Sequence, residues 1–482
     1  MKPLSGLNLR LLASALLVFG LATRTVASAP LVTVTLDTEN PGLVIPADFE
    51  GLSFEASQLL PGPGGIHYFR RDNHALIHLF HTLGIKSLRL GGNTADRDAR
   101  KLPDEADLDS LFAFAKAAGV KIIYCLRLHG GDPQADARTA KYIMDRYASQ
   151  MDCFSIGQEP SSYPKPYSYS DYEKDWRKFA DTIIAAVPDV KFCGPSVHKN
   201  PAWARQFIAD FGQASHVILI TEHFYPGGAG NKVPAPEVGR DCMLSDNFVK
   251  SYETLYNGFV PAALSDGLPY RLEEANNYFN GGAKGVSDTF AAALWGLDFM
   301  HWWAEHGAKG VNFHTGDFVS ANYRLEPAKY TAFFSTRNGY VSRPLAYGIK
   351  AFDLSGHGRV VRVELSSGSS RLAAYAVLGN DNDLYVTLIN QEHGADAQTL
   401  TVAVRPSRTR FKSGQILYLI APDHNVAAIS GETLGGTEIE VDGNWNGKWT
   451  LLKPPENDTG TFTVQIPAVC AAIVKLLPMS KP

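Results

Sequence analysis

Cysteine is scarce in this sequence, and dense Lys/Arg runs, glycine-rich phosphate loops and internal repeats are missing from it. The five cysteines are an odd count, and no CxxC or Cys/His spacing of the kind that holds zinc is present. Cys125, Cys153 and Cys193 sit in apolar β-like runs, where buried free thiols are expected. Sequence alone leaves open whether Cys242 and Cys470 pair across the chain. A net charge of -4 without a basic run argues against nucleic acid, an anionic membrane or a heavily sulfated polymer as the main partner. Long disorder is excluded as well, because 45% of residues are apolar and only 20% charged.

No apolar run beyond the N-terminus is long enough to cross a bilayer. The first segment has another reading. Lys2 and Arg10 flank and precede "LLASALLVFGLA" (11–22), and "TVASAP" then offers small residues for cleavage near Ser28 or Ala29. Residues 1–29 are therefore read as a signal peptide, and the mature protein as secreted or periplasmic, with no membrane contact after cleavage. The sequon Asn457-Asp458-Thr459 matters only in a eukaryotic source. One histidine cluster invites a metal reading: His74, His78 and His81. They fall on a helical face opposite Leu76, Phe80 and Leu83, which marks a solvated face. No metal and no cofactor is expected.

What the chain does contain is a long alternation of short apolar runs and amphipathic stretches. Eight β-like runs (51–56, 86–92, 120–128, 152–159, 190–196, 216–226, 270–276 and 309–314) are separated by helix candidates such as 104–118, 134–149, 171–186, 246–258 and 287–305. Eight βα units predict an α/β fold, a (β/α)8 TIM barrel over 46–349. An open doubly wound sheet fits less well, since no glycine-rich phosphate loop follows the first run. After 350 the period changes to two, in "DLYVTLIN", "QTLTVAVRP" and "GQILYLIAP", which predicts a C-terminal antiparallel β-sandwich over 350–482. "LVTVTLDT" (31–38) alternates in the same way, so residues 30–45 are expected to add a strand to that sandwich.

Barrel enzymes place their chemistry at the C-terminal ends of strands. Glu159 in "FSIGQEPSSY" ends the fourth run, and Glu273 and Glu274 end the seventh. These strands face each other across the barrel mouth, and two facing carboxyl groups are what glycoside hydrolysis requires. A separation of about 5 Å would select the retaining, two-step reaction. The proton donor needs a raised pKa, about 6 on the pattern of lysozyme.

The motifs support a resemblance. "GQEP" resembles the Asn-Glu-Pro motif of the retaining barrel glycosidases of clan A. "EEANNYFNGGAKGVSDTFAAALWGLDF" (273–299) resembles the nucleophile region of glycoside hydrolase family 79, and "GETLGGTEIEVDGNWNGKW" resembles the sandwich of its microbial members. That family holds heparanase and the microbial exo-β-glucuronidases. The resemblance implies that Glu159 is the acid/base and Glu274 the nucleophile. Strand alternation agrees that only one of two adjacent residues faces inward, leaving Glu273 structural or solvent-facing.

The same resemblance implies roles for other residues. Arg89 would lie beneath the nucleophile and keep it ionised, and His223 and Tyr225 would touch sugar and nucleophile. Glu55 would bond sugar hydroxyls. The uronate carboxylate has no Arg/Lys cluster to meet it, so backbone N–H groups around Gly281 and Gly282, with Tyr323 or Tyr330, are its candidate partners. Four tyrosines from Tyr163 to Tyr172 either stack on sugar or form a packed lid. Gln158 departs from the clan's Asn by one methylene, which weakens or displaces the contact to the 2-hydroxyl. The expected function is a retaining exo-β-glucuronidase, monomeric, acting on a carbohydrate. The alternatives are an endo-acting, heparanase-like glycosidase and a non-catalytic sugar-binding barrel.

Overall fold

A computed structural model describes residues 31–96, 101–317, 327–366, 371–407, 411–452 and 460–479. The expected export segment, Tyr323 and Asn457 lie outside these residues.

The strand β1 (Leu31–Asp37) buries Val32, Val34 and Leu36 and turns Thr33 and Thr35 outward, as a half-covered strand should. The next eight strands behave differently. They are β2 (Glu50–Glu55), β3 (Ser87–Gly91), β4 (Lys121–Leu126), β5 (Met151–Ile156), β6 (Phe192–His198), β7 (Val217–Phe224), β8 (Tyr270–Ala275) and β9 (Gly310–His314). Nearly every position in them is buried, because a parallel barrel strand has core on one side and helices on the other. They pair in chain order and β9 returns to β2, closing the barrel expected from the sequence.

Around it lie α1 (His74–Thr82), α2 (Asn93–Asp96), α3 (Glu105–Ala118), α4 (Pro133–Tyr147), α5 (Tyr169–Ala186), α6 (Pro201–Phe211), α7 (Pro236–Met243), α8 (Asp246–Ser265), α9 (Phe290–Glu305) and α10 (Pro344–Asp353). Local chemistry sets their starts. Asp104 with Asp107, and Ser168 with Asp171, form reciprocal capping boxes at α3 and α5. Asp132 caps α4 directly before Pro133. On α1 the three histidines are exposed while Leu76, Leu79 and Phe80 are buried, so they form a solvated face.

Helix α9 has no polar face, and its residues from Phe290 to Ala304 are all buried. Tertiary packing is the reason. Its N–H groups at Phe290 and Ala291 bond Ala428 and Val426 of the C-terminal region, and Tyr375 Oη donates to Asp298 at 2.8 Å. Helix α10 covers another side.

Beyond the small hairpin β10 (Phe333–Thr336) and β11 (Gly339–Ser342), the chain forms β12 (Gly358–Leu365), β13 (Leu372–Gly379), β14 (Leu384–Asn390), β15 (Leu400–Pro406), β16 (Phe411–Ile420), β17 (Thr433–Leu434), β18 (Thr450–Leu452), β19 (Phe462–Ile466) and β20 (Cys470–Pro478). The order β17-β16-β20-β14-β13-β12-β1-β15-β19 curls round a second core that includes Val34, Leu36, Val386, Val402, Val464 and Val474. This is the expected sandwich, with one correction: it is not wholly antiparallel. β1 runs antiparallel to β12 but parallel to β15. It arrives from the N-terminus without a hairpin, so no tight turn dictates its direction. Cys470 lies inside this core and Cys242 is exposed on α7; both are free, as are Cys125, Cys153 and Cys193.

Candidate active site

Glu159 follows β5 and takes up a left-handed backbone (φ 48°, ψ 56°), which a residue with a Cβ adopts only at a cost of about 1–3 kcal/mol. Its N–H donates to Ser196 O at 2.9 Å, and its carbonyl accepts from Ser162 N at 2.8 Å. Pro160 then opens a short 3-10 turn, since its fixed φ suits a first helical position. The proline after the glutamate therefore ends the strand sharply and leaves the carboxyl facing the barrel axis. There, one oxygen each of Glu159 and Glu274 and a ring nitrogen of His223 lie within 4.8 Å of one another. Glu159 is 9% exposed and Glu274 5%, so both carboxyls are largely withdrawn from water.

Glu274 is held at both oxygens. Arg89 Nη1 donates to Oε2 at 2.7 Å, Gln158 Nε2 donates to Oε2 at 3.1 Å, and Tyr225 Oη donates to Oε1 at 2.9 Å. Arg89 is completely buried and also donates to Gln158 Oε1 at 2.5 Å and Ser53 Oγ at 3.2 Å. Burial pushes the Glu274 carboxyl up, but the charges of His314, His223 and Arg89 and the Gln158 amide outweigh it. They hold it well below the usual carboxylate range.

Glu159 contradicts the expectation of a pKa near 6. Burial raises its carboxyl, yet the hydrogen bond and charge of His223, with Nδ1 at 3.2 Å from Oε1, bring it below the ordinary value. His223 in turn is lifted to about 9: burial opposes the proton, while Glu274, Glu159 and Glu273 together favour it. Each group thus shifts the other: the imidazole favours the ionised Glu159, and the carboxyls around it favour the protonated His223.

Glu273 is not solvent-facing. It is fully buried, with Oε1 at 3.5 Å from His223 Nε2 and Oε2 accepting from Cys193 Sγ at 3.8 Å. Strand alternation failed here because β8 carries an irregularity. Glu222 pairs with Leu272 and His223 with Glu274, which leaves Glu273 as an extra residue. A bulge of this kind lets both adjacent side chains reach one neighbour.

Removing Glu273's charge is expected to loosen His223's proton. Glu273→Gln should move the alkaline limb of activity to lower pH by roughly one unit, measured as kcat/KM against pH. An unchanged limb in a folded variant would show that Glu273 does not act through His223. Stability should follow the same group. The contribution of His223 is complete below its ordinary 6.5 and is lost as pH rises through about 9.

Other expected residues take varied places. Both Glu55 oxygens are used within the fold, by Asn93 N (3.2 Å), Thr94 N (2.8 Å) and Thr94 Oγ1 (2.6 Å). Tyr330 is buried beside Tyr225, ring centroids 6.2 Å apart, and 6.0 Å from His314. Gly281 and Gly282 have φ of 78° and 84°; a Cβ on Gly282 would lie 2.8 Å from Ser287 Cβ and from Tyr330 N. The four tyrosines are tied into the fold. Tyr163 bonds Asp96, Tyr167 bonds Asp175 and Tyr169 bonds Asp210, while Tyr172 is buried against Trp203.

Two contributors escaped sequence reasoning. His314 accepts or donates at 3.0 Å with Ser53 Oγ and lies 3.9 Å from both Glu274 and Glu55. It ends the eighth barrel strand, so the positional argument used for Glu159 would have found it. Asp96 accepts from Gln158 N at 2.8 Å, Leu128 N at 2.9 Å and Tyr163 Oη, fixing the loop that presents Glu159. No sequence signal marked it.

No protein-family model matches the chain. A β-glucuronidase from Aspergillus niger is 26% identical over 371 residues, 67% of this chain and 66% of that protein. Mouse heparanase is 24% identical over 238 residues, 46% of this chain and 44% of that protein. The chain thus matches just under two thirds of the first relative's length and less than half of the second's. Among solved structures, a 4-O-α-L-rhamnosyl-β-D-glucuronidase from Fusarium oxysporum superposes with a TM-score of 0.71 at 16% identity, covering 92% of this chain and 100% of that one. An arabinofuranosidase from Xanthomonas axonopodis pv. citri gives 0.66 at 12% identity over 92% and 99%. These two share the fold. The β-glucuronidase and heparanase relatives bear out the sequence's resemblance to glycoside hydrolase family 79.

Proposed function

We propose that this protein is a retaining exo-β-glucuronidase that removes terminal β-linked glucuronic acid from a carbohydrate or glycoside. The observation that carries the reading is the approach of Glu159 and Glu274 to within 4.8 Å of each other and of His223. Retaining glycosidases hold their two carboxyl groups about 5 Å apart, whereas inverting ones leave room for a water. In the first step a Glu274 oxygen bonds to the anomeric carbon as the glycosidic C–O bond breaks, and the leaving oxygen takes a proton from Glu159. In the second, water attacks that carbon, gives its proton to Glu159 and releases Glu274.

The His223–Glu159 pair supplies the proton. When sugar replaces water over Glu159, the ionised carboxylate loses solvation, which favours moving the proton from Nδ1 to Oε1. Gln158 does not mimic the shorter Asn of the clan: its amide spans Arg89 and Glu274 and reinforces the nucleophile. For the uronate group, the loop at Gly281 and Gly282 offers backbone donors; among the described residues, no hydrogen bond uses these two N–H groups. We read the protein as exported, since the apolar leader fits export, and as a monomer.

Proton NMR of a β-glucuronide during hydrolysis tests the reading, because β-glucuronic acid should form first and mutarotate later. First-formed α-product would overturn it. The likeness to heparanase favours a second reading, endo cleavage of an acidic polymer. Product sizing separates the two: terminal release leaves polymer length almost unchanged, while internal cuts shorten it at once.

A further inference from the structure

At the opposite end of the barrel lies another buried carboxylate. Glu50 opens β2, is wholly inaccessible to solvent, and neither of its oxygens accepts a hydrogen bond from another residue. A buried carboxylate left without donors is exceptional in folded proteins and is relieved either by protonation, toward which burial pushes Glu50 (up to about 8), or by a bound cation. The groups facing it are the right ones. His357 Nε2 lies 3.4 Å from Glu50 Oε1 and 3.4 Å from Asp353 Oδ1, and the three ligand-type atoms fall within 4.8 Å of one another.

We propose that Glu50, Asp353 and His357 form a divalent-metal site that ties the barrel to the C-terminal sheet. One imidazole nitrogen and two carboxylate oxygens are a donor set suited to Zn2+ or Mn2+. Zinc bonds of about 2.0–2.1 Å place neighbouring tetrahedral ligands about 3.3–3.4 Å apart, close to the 3.4 Å from His357 Nε2 to each carboxylate. His357 is 39% exposed, so water has access to a fourth position.

The surroundings are consistent with such a site. Asp353 is the last residue of α10, and His357 lies four residues on, in the loop before β12, with Nε2 3.4 Å from Asp353 Oδ1. Lys350 holds Asp353 Oδ2 at 2.7 Å and leaves Oδ1 toward His357. Gly84 keeps the space open, because a Cβ there would lie 2.1 Å from Asp353 Oδ1. Lys350 is committed to Asp353, and Arg271, fully buried, to Asp48 and Asn312. The site lies between elements from distant parts of the chain: β2 of the barrel, the end of α10, and the residue preceding β12. A bound ion would therefore act on stability and leave the glycosidase chemistry alone.

The test uses the full chain, stripped with a chelator and then given Zn2+ or, separately, Mn2+. After gel filtration the wild type should retain one equivalent of one of these ions by elemental analysis. That ion should raise the melting temperature by roughly 3–5 °C when present at about a hundred times its Kd. His357→Ala and Asp353→Asn should lose that equivalent and the shift, while hydrolysis of a β-glucuronide stays at the wild-type rate. Glu50→Gln should lose the ion too and, lacking a buried charge, should melt no lower than the stripped wild type. Retention of neither ion would overturn the proposal. So would equal binding by the wild type and His357→Ala, which would put the metal on the Glu159, His223 and Glu274 cluster instead.

Discussion

Glu274→Gln is expected to lower turnover of a chromogenic β-glucuronide on the order of 10^4-fold or more, with the fold intact. An amide of the same shape cannot form the glycosyl ester, so the loss falls on kcat. Folding should survive because Arg89 keeps two other acceptors, Gln158 Oε1 and Ser53 Oγ, and the new amide oxygen can still accept from it. A carboxylate removed without its cation would ordinarily leave a buried charge stranded. Here the guanidinium remains bonded. Steady-state kinetics with a circular-dichroism melt on the same sample decides the matter. A rate within tenfold of the parent would exclude Glu274 as nucleophile and leave Glu273, its buried neighbour, as the next carboxylate to test.

Glu159→Ala should separate substrates by their leaving groups. General acid catalysis contributes about 10^2–10^4-fold where the leaving oxygen needs a proton. Hydrolysis of an alkyl or sugar β-glucuronide should fall by about that factor. A nitrophenyl glucuronide departs as a stable anion and should form the glycosyl-enzyme at a far less reduced rate. Its turnover should then stall at the second step, where no base activates water. Added azide needs no base and should restore release, giving a β-glucuronyl azide. Equal losses for both aglycones, with no response to azide, would remove Glu159 from the acid/base role.

The alkaline behaviour of the parent belongs with these variants. Because His223 shares the proton with Glu159 and holds it until about pH 9, activity should persist above neutrality and fall as that proton is lost. At the acid end Glu274, kept well below the usual carboxylate range, should remain ionised where an ordinary carboxyl would already be protonated.

The sequence by itself determined the elements and the two glutamates. Eight apolar runs separated by amphipathic stretches leave a barrel as the natural closure, and strand ends in such a barrel converge on one mouth. Glu159 and the adjacent Glu273 and Glu274 were legible at that mouth for that reason, while the family resemblance singled out Glu274. So was the period-two pattern that carries β1 into the C-terminal sheet. Tertiary structure alone decided what surrounds the carboxyls. The bulge in β8 brings Glu273 onto His223, and no local rule of alternation foresees an inserted residue. Long-range approach set the pairing of His223 with Glu159, the retreat of Glu55 into bonds with Thr94, and the meeting of Glu50 with His357. Patterns along a chain report which face a side chain takes; pKa values and ion sites depend on distances between segments that only folding brings together.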